Sequence, residues 1–162
     1  MSASKTVYVF SDSHGKTDDM TRLAKAGRPD MIIHAGDYAS DARKVQQDTG
    51  ILCHAVKGNC DYFDNEETIR EVFLMGQKLI VTHGDKYAVK YSYDRLWYLA
   101  REQDAKAVIF GHTHEAFCEY VDGIWLVNPG SISLPRGSMP SYAELVVGNF
   151  GVVPKIKYYS GG

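Results

Sequence analysis

Short apolar runs, rich in valine, isoleucine and aromatic residues, recur along the chain and are separated by polar turns. Continuous apolar runs of this length are typical of buried β-strands. The pattern predicts strands at residues 7–10, 31–33, 51–56, 72–75, 78–81, 108–110, 124–127, 142–147 and 152–159.

Apolar positions at helical spacing predict three helices between these strands. The first has Thr17 as its N-cap and ends at Gly27, ahead of Pro29. The second covers residues 41–48 and the third residues 91–103. Strands and helices alternate in the N-terminal part, whereas the C-terminal third holds consecutive strands. This order predicts an α/β fold with a mixed sheet system and helices on its outer faces.

Length and composition favour a single domain over residues 1–162. A chain of 162 residues can bury a self-sufficient core, and 44% hydrophobic with 23% charged residues is ordinary for a globular protein. The N-terminus lacks the basic and apolar regions of a signal peptide. No apolar run approaches the ~20 residues that span a bilayer. We therefore expect a cytoplasmic protein that does not associate with membranes.

Charge and cysteine content exclude several classes of protein. The net charge is −2 and the lysines and arginines are scattered, so general nucleic-acid binding is not expected. Three cysteines without a CxxC spacing argue against a disulfide framework and a cysteine-rich zinc site, and they fit a reducing compartment. The GxxxxGK[ST] and GxGxxG motifs of nucleotide sites are missing.

Nearly all candidate metal ligands of the chain directly follow predicted strands. They are Asp12, His14, Asp37, Asn59, His83, His112 and His114. Ligands of α/β proteins collect at the carboxyl ends of strands, so we expect these side chains to meet at one sheet edge. Imidazole and carboxylate together suit Mn, Fe, Zn, Ni or Co better than calcium. Since one ion takes roughly four to six ligands, seven groups predict two ions that share a carboxylate bridge.

The order of these motifs, D-x-H, G-D, G-N-x-D, T-H-G and G-H-x-H, resembles the calcineurin-like metallophosphoesterase superfamily. The Gly58-Asn-Cys-Asp61 motif and residues 128–136 are similar to its small single-domain prokaryotic phosphodiesterases. The similarity runs from Val7 to about Tyr159. It implies a four-layer α/β/β/α sandwich of two mixed β-sheets with outer helices, and a dimetal site along one sheet edge.

The resemblance also implies a role for each candidate ligand. The resemblance implies that one metal is bound by Asp12, His14, Asp37 and His114. It implies that the second is bound by Asn59, His83 and His112, with Asp37 bridging the two. The implied cofactors are two divalent transition metal ions, with Mn as the first expectation and Ni, Fe, Co or Zn as alternatives. The implied reaction is hydrolysis of small phosphodiesters by attack of metal-activated water or hydroxide at phosphorus.

Cys60 is the most informative departure from the superfamily pattern. Most members have a histidine there, which is thought to protonate the leaving oxygen. A thiol near two cations would favour thiolate, a poor proton donor, so we expect a preference for activated diesters such as aryl phosphates. A covalent cysteine nucleophile is improbable, because the Cys-x5-Arg spacing of cysteine phosphatases would require arginine where the chain has Glu66.

Two further residues are candidate participants in catalysis. Asp61 is predicted to orient Cys60 or a water molecule. Arg136 is predicted to help hold the substrate, with a solvated loop charge as the alternative. His34 and His54 lie inside predicted strands and are expected to be packed and hydrogen-bonded rather than to bind metal.

Other functions are compatible with parts of the sequence. The retromer subunit that resembles this family uses the sandwich as a protein-interaction surface, so a protein-binding scaffold with little or no catalysis is the alternative function. A zinc hydrolase of the metallo-β-lactamase kind is excluded, because its HxHxDH motif is missing. The aromatic residues at 91–98 are expected to be mostly helix core. An aromatic wall of the site, or a homodimer or homotetramer contact, is the alternative interpretation of this segment.

Overall fold

The computed structural model describes residues 3–61, 66–133 and 139–159, and these ranges contain ten strands and three helices. The strands are β1 Ser4–Phe10, β2 Met31–His34, β3 Cys53–Ala55, β4 Ile69–Leu74, β5 Gln77–Thr82, β6 Ala107–Ile109, β7 Phe117–Val121, β8 Ile124–Asn128, β9 Ser141–Gly148 and β10 Gly151–Tyr158. The helices are α1 Thr17–Gly27, α2 Ala39–Thr49 and α3 Asp94–Glu102.

The strands form two five-stranded mixed sheets. The first has the order β10-β9-β1-β2-β3 and the second β4-β5-β6-β8-β7. Strands β1, β2 and β3 are parallel in the first sheet, and β5, β6 and β8 are parallel in the second. The remaining pairings are antiparallel. Each sheet therefore presents the carboxyl ends of three parallel strands along one edge.

Alternation of side chains along the strands builds four layers. Val7 and Val9 of β1 lie in the core between the two sheets, opposite residues such as Ile109 of β6. The intervening Tyr8 and Phe10 point to the other face and pack with residues of α1 and α2. Helix α3 covers the outer face of the second sheet. The predicted four-layer α/β/β/α sandwich with outer helices is confirmed.

The helices are present where they were predicted, with different ends. Thr17 is not the N-cap of α1: Lys16 occupies that position, Thr17 is the first helical residue, and no side chain caps the helix. Helix α3 begins at Asp94 rather than at residue 91, because turns occupy the chain just before it. Among the described residues, no helix is both long and apolar enough to cross a membrane.

All nine predicted strands are present, and one further strand, β7, was missed. It pairs antiparallel with β8 through a two-residue turn formed by Asp122 and Gly123. Both turn residues have positive φ, of 45° and 86°. An Asp-Gly pair between two strand-like segments is a strong hairpin signal, and it was available in the sequence. The half-buried and exposed side chains of β7 produce no continuous apolar run, which explains the omission.

The layer between the sheets should carry much of the stability. Leu145 of β9 is completely buried there, whereas Val153 on the adjacent β10 is 53% exposed. We expect Leu145→Ala to lower the free energy of unfolding by about 2–5 kcal/mol, because it leaves a cavity in a packed core. Val153→Ala, the control, should cost well under about 1 kcal/mol. Urea denaturation measures both, and equal losses would contradict this assignment of the core.

Candidate metal centre

The loops after the parallel strands converge at one edge of the sandwich. Hydrogen bonds between their backbones tie neighbouring loops together within each sheet. The Asp12 amide donates to the carbonyl of Gly36 at 3.0 Å, and the Gly111 amide donates to that of His83 at the same distance. The Ser131 hydroxyl donates to the Asp12 carbonyl at 2.9 Å, so the loop after β8 reaches the loop after β1. The loops that carry the candidate ligands are therefore held together by hydrogen bonds.

Four side chains form the tightest cluster at this edge. One ligand atom from each lies within 4.8 Å of the others, and the four residues are Asp12, His14, Asp37 and His114. The separation between His114 Nε2 and Asp12 Oδ1 is 3.3 Å. Distances of this size between donor atoms suit a shared cation, since ligands at about 2 Å from one ion lie roughly 3–4 Å apart.

His83 and His112 extend the cluster on the side of Asp37. His83 Nε2 lies 3.4 Å from Asp37 Oδ2, 3.8 Å from Asp12 Oδ1 and 3.3 Å from His112 Nδ1. His83 Nδ1 donates to the carbonyl of Ala35 at 2.7 Å. Because that bond occupies Nδ1–H, Nε2 is the nitrogen directed at the carboxylates, as required of a metal ligand.

The two oxygens of Asp12 have different surroundings. Oδ2 accepts hydrogen bonds from the Ser11 hydroxyl at 2.7 Å and from the His112 amide at 3.2 Å. Among the described residues, Oδ1 of Asp12 and Nε2 of His14 are buried side-chain atoms with no hydrogen-bond partner. Unpartnered buried polar atoms are costly and rare, and a cation would satisfy the Asp12 oxygen and, in the tautomer with unprotonated Nε2, the His14 nitrogen. The residues present therefore fit a metal ion.

The backbone at the cluster is strained. Eleven non-glycine residues in the described ranges have positive φ, and five of them are candidate ligands. These five are Asp12, His14, Asp37, His112 and His114. The left-handed conformation costs such residues about 1–2 kcal/mol each, and strain of this kind concentrates at functional sites. The strained loops aim side chains at one point that regular strands would direct elsewhere.

Close packing of Gly58 against Asp37 leaves no room for a side chain. A Cβ atom at Gly58 would lie 2.2 Å from Asp37 Oδ1 and 2.6 Å from the Asp37 backbone nitrogen. The absence of a Cβ thus allows the loop after β3 to reach the carboxylate, where the Cys60 amide donates to Asp37 Oδ1 at 2.9 Å. Only glycine permits such an approach between two backbones.

Asp37 and His83 shift each other's pKa by electrostatic interaction and hydrogen bonding. Burial alone would raise the pKa of Asp37, but the hydrogen bond and charge of His83, together with the Cys60 amide, outweigh it and lower that pKa well below its usual range. Burial likewise opposes protonation of His83, yet its hydrogen bond with Asp37 and the negative charge of Asp12 raise the pKa of His83. A positive charge is thus stabilised between the two carboxylates.

Comparison with known proteins agrees with this geometry. Residues 6–149 match the model of the calcineurin-like phosphoesterase superfamily domain. The chain is 34% identical over 146 residues to a protein of Bacillus subtilis named probable metallophosphoesterase YsnB, covering 88% of this chain and 85% of that one. The chain belongs to the calcineurin-like phosphoesterase superfamily.

Two further relatives place the chain within this superfamily. It is 30% identical over 161 residues to phosphodiesterase YfcE of Escherichia coli K12, covering 83% of this chain and 84% of the relative. The crystal structure of a predicted phosphoesterase from Streptococcus pneumoniae superposes with a TM-score of 0.81 at 26% identity, covering 99% of this chain and 96% of the other. As a member of this superfamily, the protein is a metal-dependent phosphoric ester hydrolase.

The loop after β3 of this phosphoesterase carries three of the residues predicted from sequence. Asn59 and Cys60 are exposed at the edge of the cluster, and the Asn59 side-chain amide donates to Cys60 Sγ at 3.9 Å. Asp61 was predicted to orient Cys60 or a water molecule. Its carboxylate accepts hydrogen bonds from the backbone amides of Tyr38 at 2.8 Å, Ala39 at 3.1 Å and Gly58 at 2.8 Å, and the predicted role stays a prediction. Asp61 therefore joins this loop to the start of α2.

The protein groups around Cys60 act on its protonation in the opposite direction to cations. Burial, followed by the charge and hydrogen bond of Asp37, raises the pKa of the Cys60 thiol to about 11. The protein's own charges therefore favour the neutral thiol, whereas a thiolate was expected beside two cations. Cations at the centre would have to outweigh the nearby carboxylates to form it. Arg136 lies outside the described residues.

Several residues of the phosphoesterase that bear on the centre were not assigned a role from sequence. Ser11 orients Asp12, as described above. The Asn128 side-chain amide donates to the Gly111 carbonyl at 3.2 Å and to the Thr113 hydroxyl at 3.0 Å, and so shapes the loop that carries the two histidines. The available signal was that Ser11 and Asn128 directly follow predicted strands. His34 is buried and hydrogen-bonded, and His54 is half-buried and contacts Arg70, as predicted.

The electrostatics of His83 predict a pH-dependent stability of the chelator-treated protein. A raised folded-state pKa means that the stabilising contribution of His83 is fully present below about pH 6.5 and is lost as the pH rises through the folded pKa. His83→Gln should therefore lower the free energy of unfolding more at about pH 6 than at about pH 9. Urea denaturation in the presence of chelator measures this difference.

His54→Gln provides a control of opposite sign. Burial, and then the charge of Arg70, lower the pKa of His54. Its contribution is therefore present above about pH 6.5 and is lost as the pH falls. The two variants should show opposite pH trends relative to the unmodified protein. A penalty for His83→Gln that stays constant with pH would contradict the proposed charge interaction.

Proposed function

We propose that the protein is a dimetal phosphodiesterase that hydrolyses small phosphodiesters. The observation that carries this proposal is the convergence of six candidate ligands at one sheet edge, where Asp12 Oδ1 and His14 Nε2 are buried without a hydrogen-bond partner. One ion would be held by Asp12, His14, Asp37 and His114. The other would be held by Asp37, Asn59, His83 and His112.

The position of Asp37 supports its proposed role as the bridge between two ions. Its ligand atom belongs to the four-residue cluster, and its Oδ2 also lies 3.4 Å from His83 Nε2 in the second group. The Cys60 amide holds Oδ1, which fixes the plane of the carboxylate. When bound, two divalent ions would activate a water molecule for attack at phosphorus and neutralise charge on the phosphoryl oxygens. The protein contributes the orientation of each donor atom.

The mixed shell of nitrogen and oxygen donors supports a transition metal. Imidazole and carboxylate ligands together suit Mn, Fe, Co, Ni and Zn, whereas calcium prefers oxygen alone. We propose Mn as the working metal, with Ni, Fe, Co and Zn as alternatives. The four-residue cluster contains no cysteine, which is consistent with Mn as the working metal, because thiolate ligands would favour softer ions.

Cys60 supports a preference for activated substrates. The neutral Cys60 thiol has a pKa raised to about 11, so it is a much weaker acid than a histidine that titrates near neutral pH. A thiolate formed near cations has no proton to donate to the leaving group. Leaving groups that depart without protonation, such as aryl oxides, are therefore expected to react fastest. Contact of Arg136 with the substrate stays a prediction.

The wider predictions have partial support. The three cysteines are free, which supports a reducing, cytoplasmic location. The two sheets share one apolar core, which supports a single domain. Tyr93 and Trp97 pack against the apolar core beneath α3, as expected for helix core, whereas Tyr91 and Tyr98 are 92% and 62% exposed, so the expectation was wrong for these two. Of the two alternatives, an aromatic wall of the site and a contact in a homodimer or homotetramer, the exposure of Tyr91 and Tyr98 supports the second.

Hydrolysis of bis-p-nitrophenyl phosphate tests the proposed reaction. Chelator-stripped protein should be inactive and should regain activity when Mn is added. We expect Asp37→Asn to lower kcat/KM with added Mn by at least about 100-fold, because losing a metal ligand should exceed the 10–100-fold effect of losing a partner of one. Asp48→Asn, an exposed carboxylate of α2, is the control and should retain full activity.

Two outcomes of this assay would contradict parts of the proposal. Full activity of Asp37→Asn with intact metal dependence would contradict the bridging role. Binding of Mn without turnover by the unmodified protein would contradict phosphodiesterase activity and favour the protein-binding scaffold.

A series of leaving groups tests the role of Cys60. Cys60→His should speed hydrolysis of diesters with poor alkyl leaving groups by about 10-fold or more relative to aryl diesters, since general acid catalysis typically contributes at least 10²-fold. Cys60→Ala controls for loss of the thiol and should leave the dependence on leaving-group pKa unchanged. The measurement is kcat/KM across substrates of graded leaving-group pKa. The same slope for all three proteins would exclude proton transfer at this position.

A further inference from the structure

A chain of buried hydrogen bonds runs beneath the candidate ligands. The Gly36 amide donates to His34 Nδ1 at 3.2 Å, and His34 Nε2 lies 2.8 Å from Ser13 Oγ. The Ser13 hydroxyl donates to Asp41 Oδ2 at 2.7 Å, and the Gly15 amide donates to the same oxygen at 2.7 Å. Ser13, His34 and Asp41 are all more than nine-tenths buried.

The direction of each hydrogen bond in this chain is determined. A backbone amide can only donate, so His34 Nδ1 is an acceptor and the ring proton is on Nε2. His34 therefore donates to Ser13, which leaves the Ser13 proton for Asp41. Burial lowers the pKa of His34, in agreement with the neutral ring that this pattern requires. The chain thus has one orientation and ends at the Asp41 carboxylate.

The chain contacts the backbone beside three candidate ligands. Ser13 lies between Asp12 and His14, and Gly15 follows His14. At the other end, Gly36 precedes Asp37. His14 is therefore bracketed by two residues that are bonded to a single oxygen of Asp41. Since His14 has a strained φ of 48°, an external restraint is needed to hold its loop in this conformation.

Asp41 does more than stabilise its own helix. A carboxylate in the first turn of α2 interacts favourably with the helix dipole, wherever its oxygens point. Here, however, Oδ2 is directed away from α2 and onto the loop after β1, in two short bonds typical of charge-assisted contacts. A buried carboxylate without these partners would be costly.

We propose that Asp41 is a positioning residue that holds the loop of Asp12 and His14 in its metal-binding conformation through Ser13 and Gly15. This inference rests on the proposed dimetal function. It adds that the first turn of α2, which carries no candidate ligand, controls the affinity of the centre. The restraint is built into the protein before any ion binds.

Two variants of Asp41 and a matched control test the proposal. Asp41→Ala removes the acceptor, whereas Asp41→Asn can keep one oxygen for both bonds. Asp48→Ala removes an exposed carboxylate from the same helix. With chelator-stripped protein, Mn binding followed by electron paramagnetic resonance should weaken about 10–100-fold in Asp41→Ala. It should weaken only a few-fold in Asp41→Asn, and should be unchanged in Asp48→Ala.

A metal-free measurement separates this inference from the proposed function. Hydrogen exchange of the Gly15 amide, followed by NMR in the presence of chelator, should be at least about 10-fold faster in Asp41→Ala than in Asp48→Ala, since a lost hydrogen bond exposes the amide to local opening. Faster exchange without any Mn binding by the unmodified protein would overturn the dimetal function and leave the restraint standing.

Two outcomes would overturn the role of Asp41. One is a folded Asp41→Ala protein, judged by circular dichroism, that binds Mn as tightly as the unmodified protein. If Asp41→Ala does not fold, Ser13→Ala becomes the decisive variant, because it breaks the chain at one neutral hydroxyl. We then expect Mn affinity to fall about 10-fold, within the range for lost partners of ligands. Unchanged affinity in folded Ser13→Ala would also overturn the proposal.

Discussion

Burial of two carboxylates at one sheet edge is the constraint on which the rest of the site depends. Asp12 is completely buried and Asp37 is 3% exposed, so neither can rely on water to stabilise its charge. Burying an ionised carboxylate is costly unless positive charge or hydrogen bonds compensate it. Amide and hydroxyl donors supply part of this compensation, and His83 supplies more when protonated. A site that favours a protonated histidine beside two carboxylates is also suited to cations.

The fold makes this concentration of charge possible through its two sheets. Three parallel strands in each sheet end at the same edge, so six loops approach one another from two directions. One sheet contributes Asp12 and Asp37, and the other contributes the three histidines of the loops after β5 and β6. These ligands can meet only if the two sheets pack firmly against each other. The completely buried valines and isoleucines between the sheets provide this packing. The apolar core therefore sets the distances on which the polar site depends.

The sequence was sufficient to predict strands that form continuous apolar runs and the candidate ligands that directly follow them. Strands such as β1 and β6 are fully apolar over their buried residues, and the candidate ligands follow them directly, so both were predicted. Strand β7 was missed because its side chains are only partly buried. The start of α3 was predicted too early, because the residues just before Asp94 form turns. The contacts of Asp61 and Asp41 could not be predicted. Both depend on which backbone amides a tertiary fold leaves within reach of a carboxylate.

The first turn of α2 connects these contacts into one arrangement. Asp61 accepts the Tyr38 and Ala39 amides at the start of the helix, and Asp41 reaches from the same turn to Ser13 and Gly15. The loops after β1, β2 and β3 are thereby joined to one rigid element by charge-assisted hydrogen bonds. Strained loops would otherwise relax toward ordinary backbone conformations. Because the restraint is electrostatic and buried, it is strong at short range and specific in direction, which is what the proposed metal centre requires.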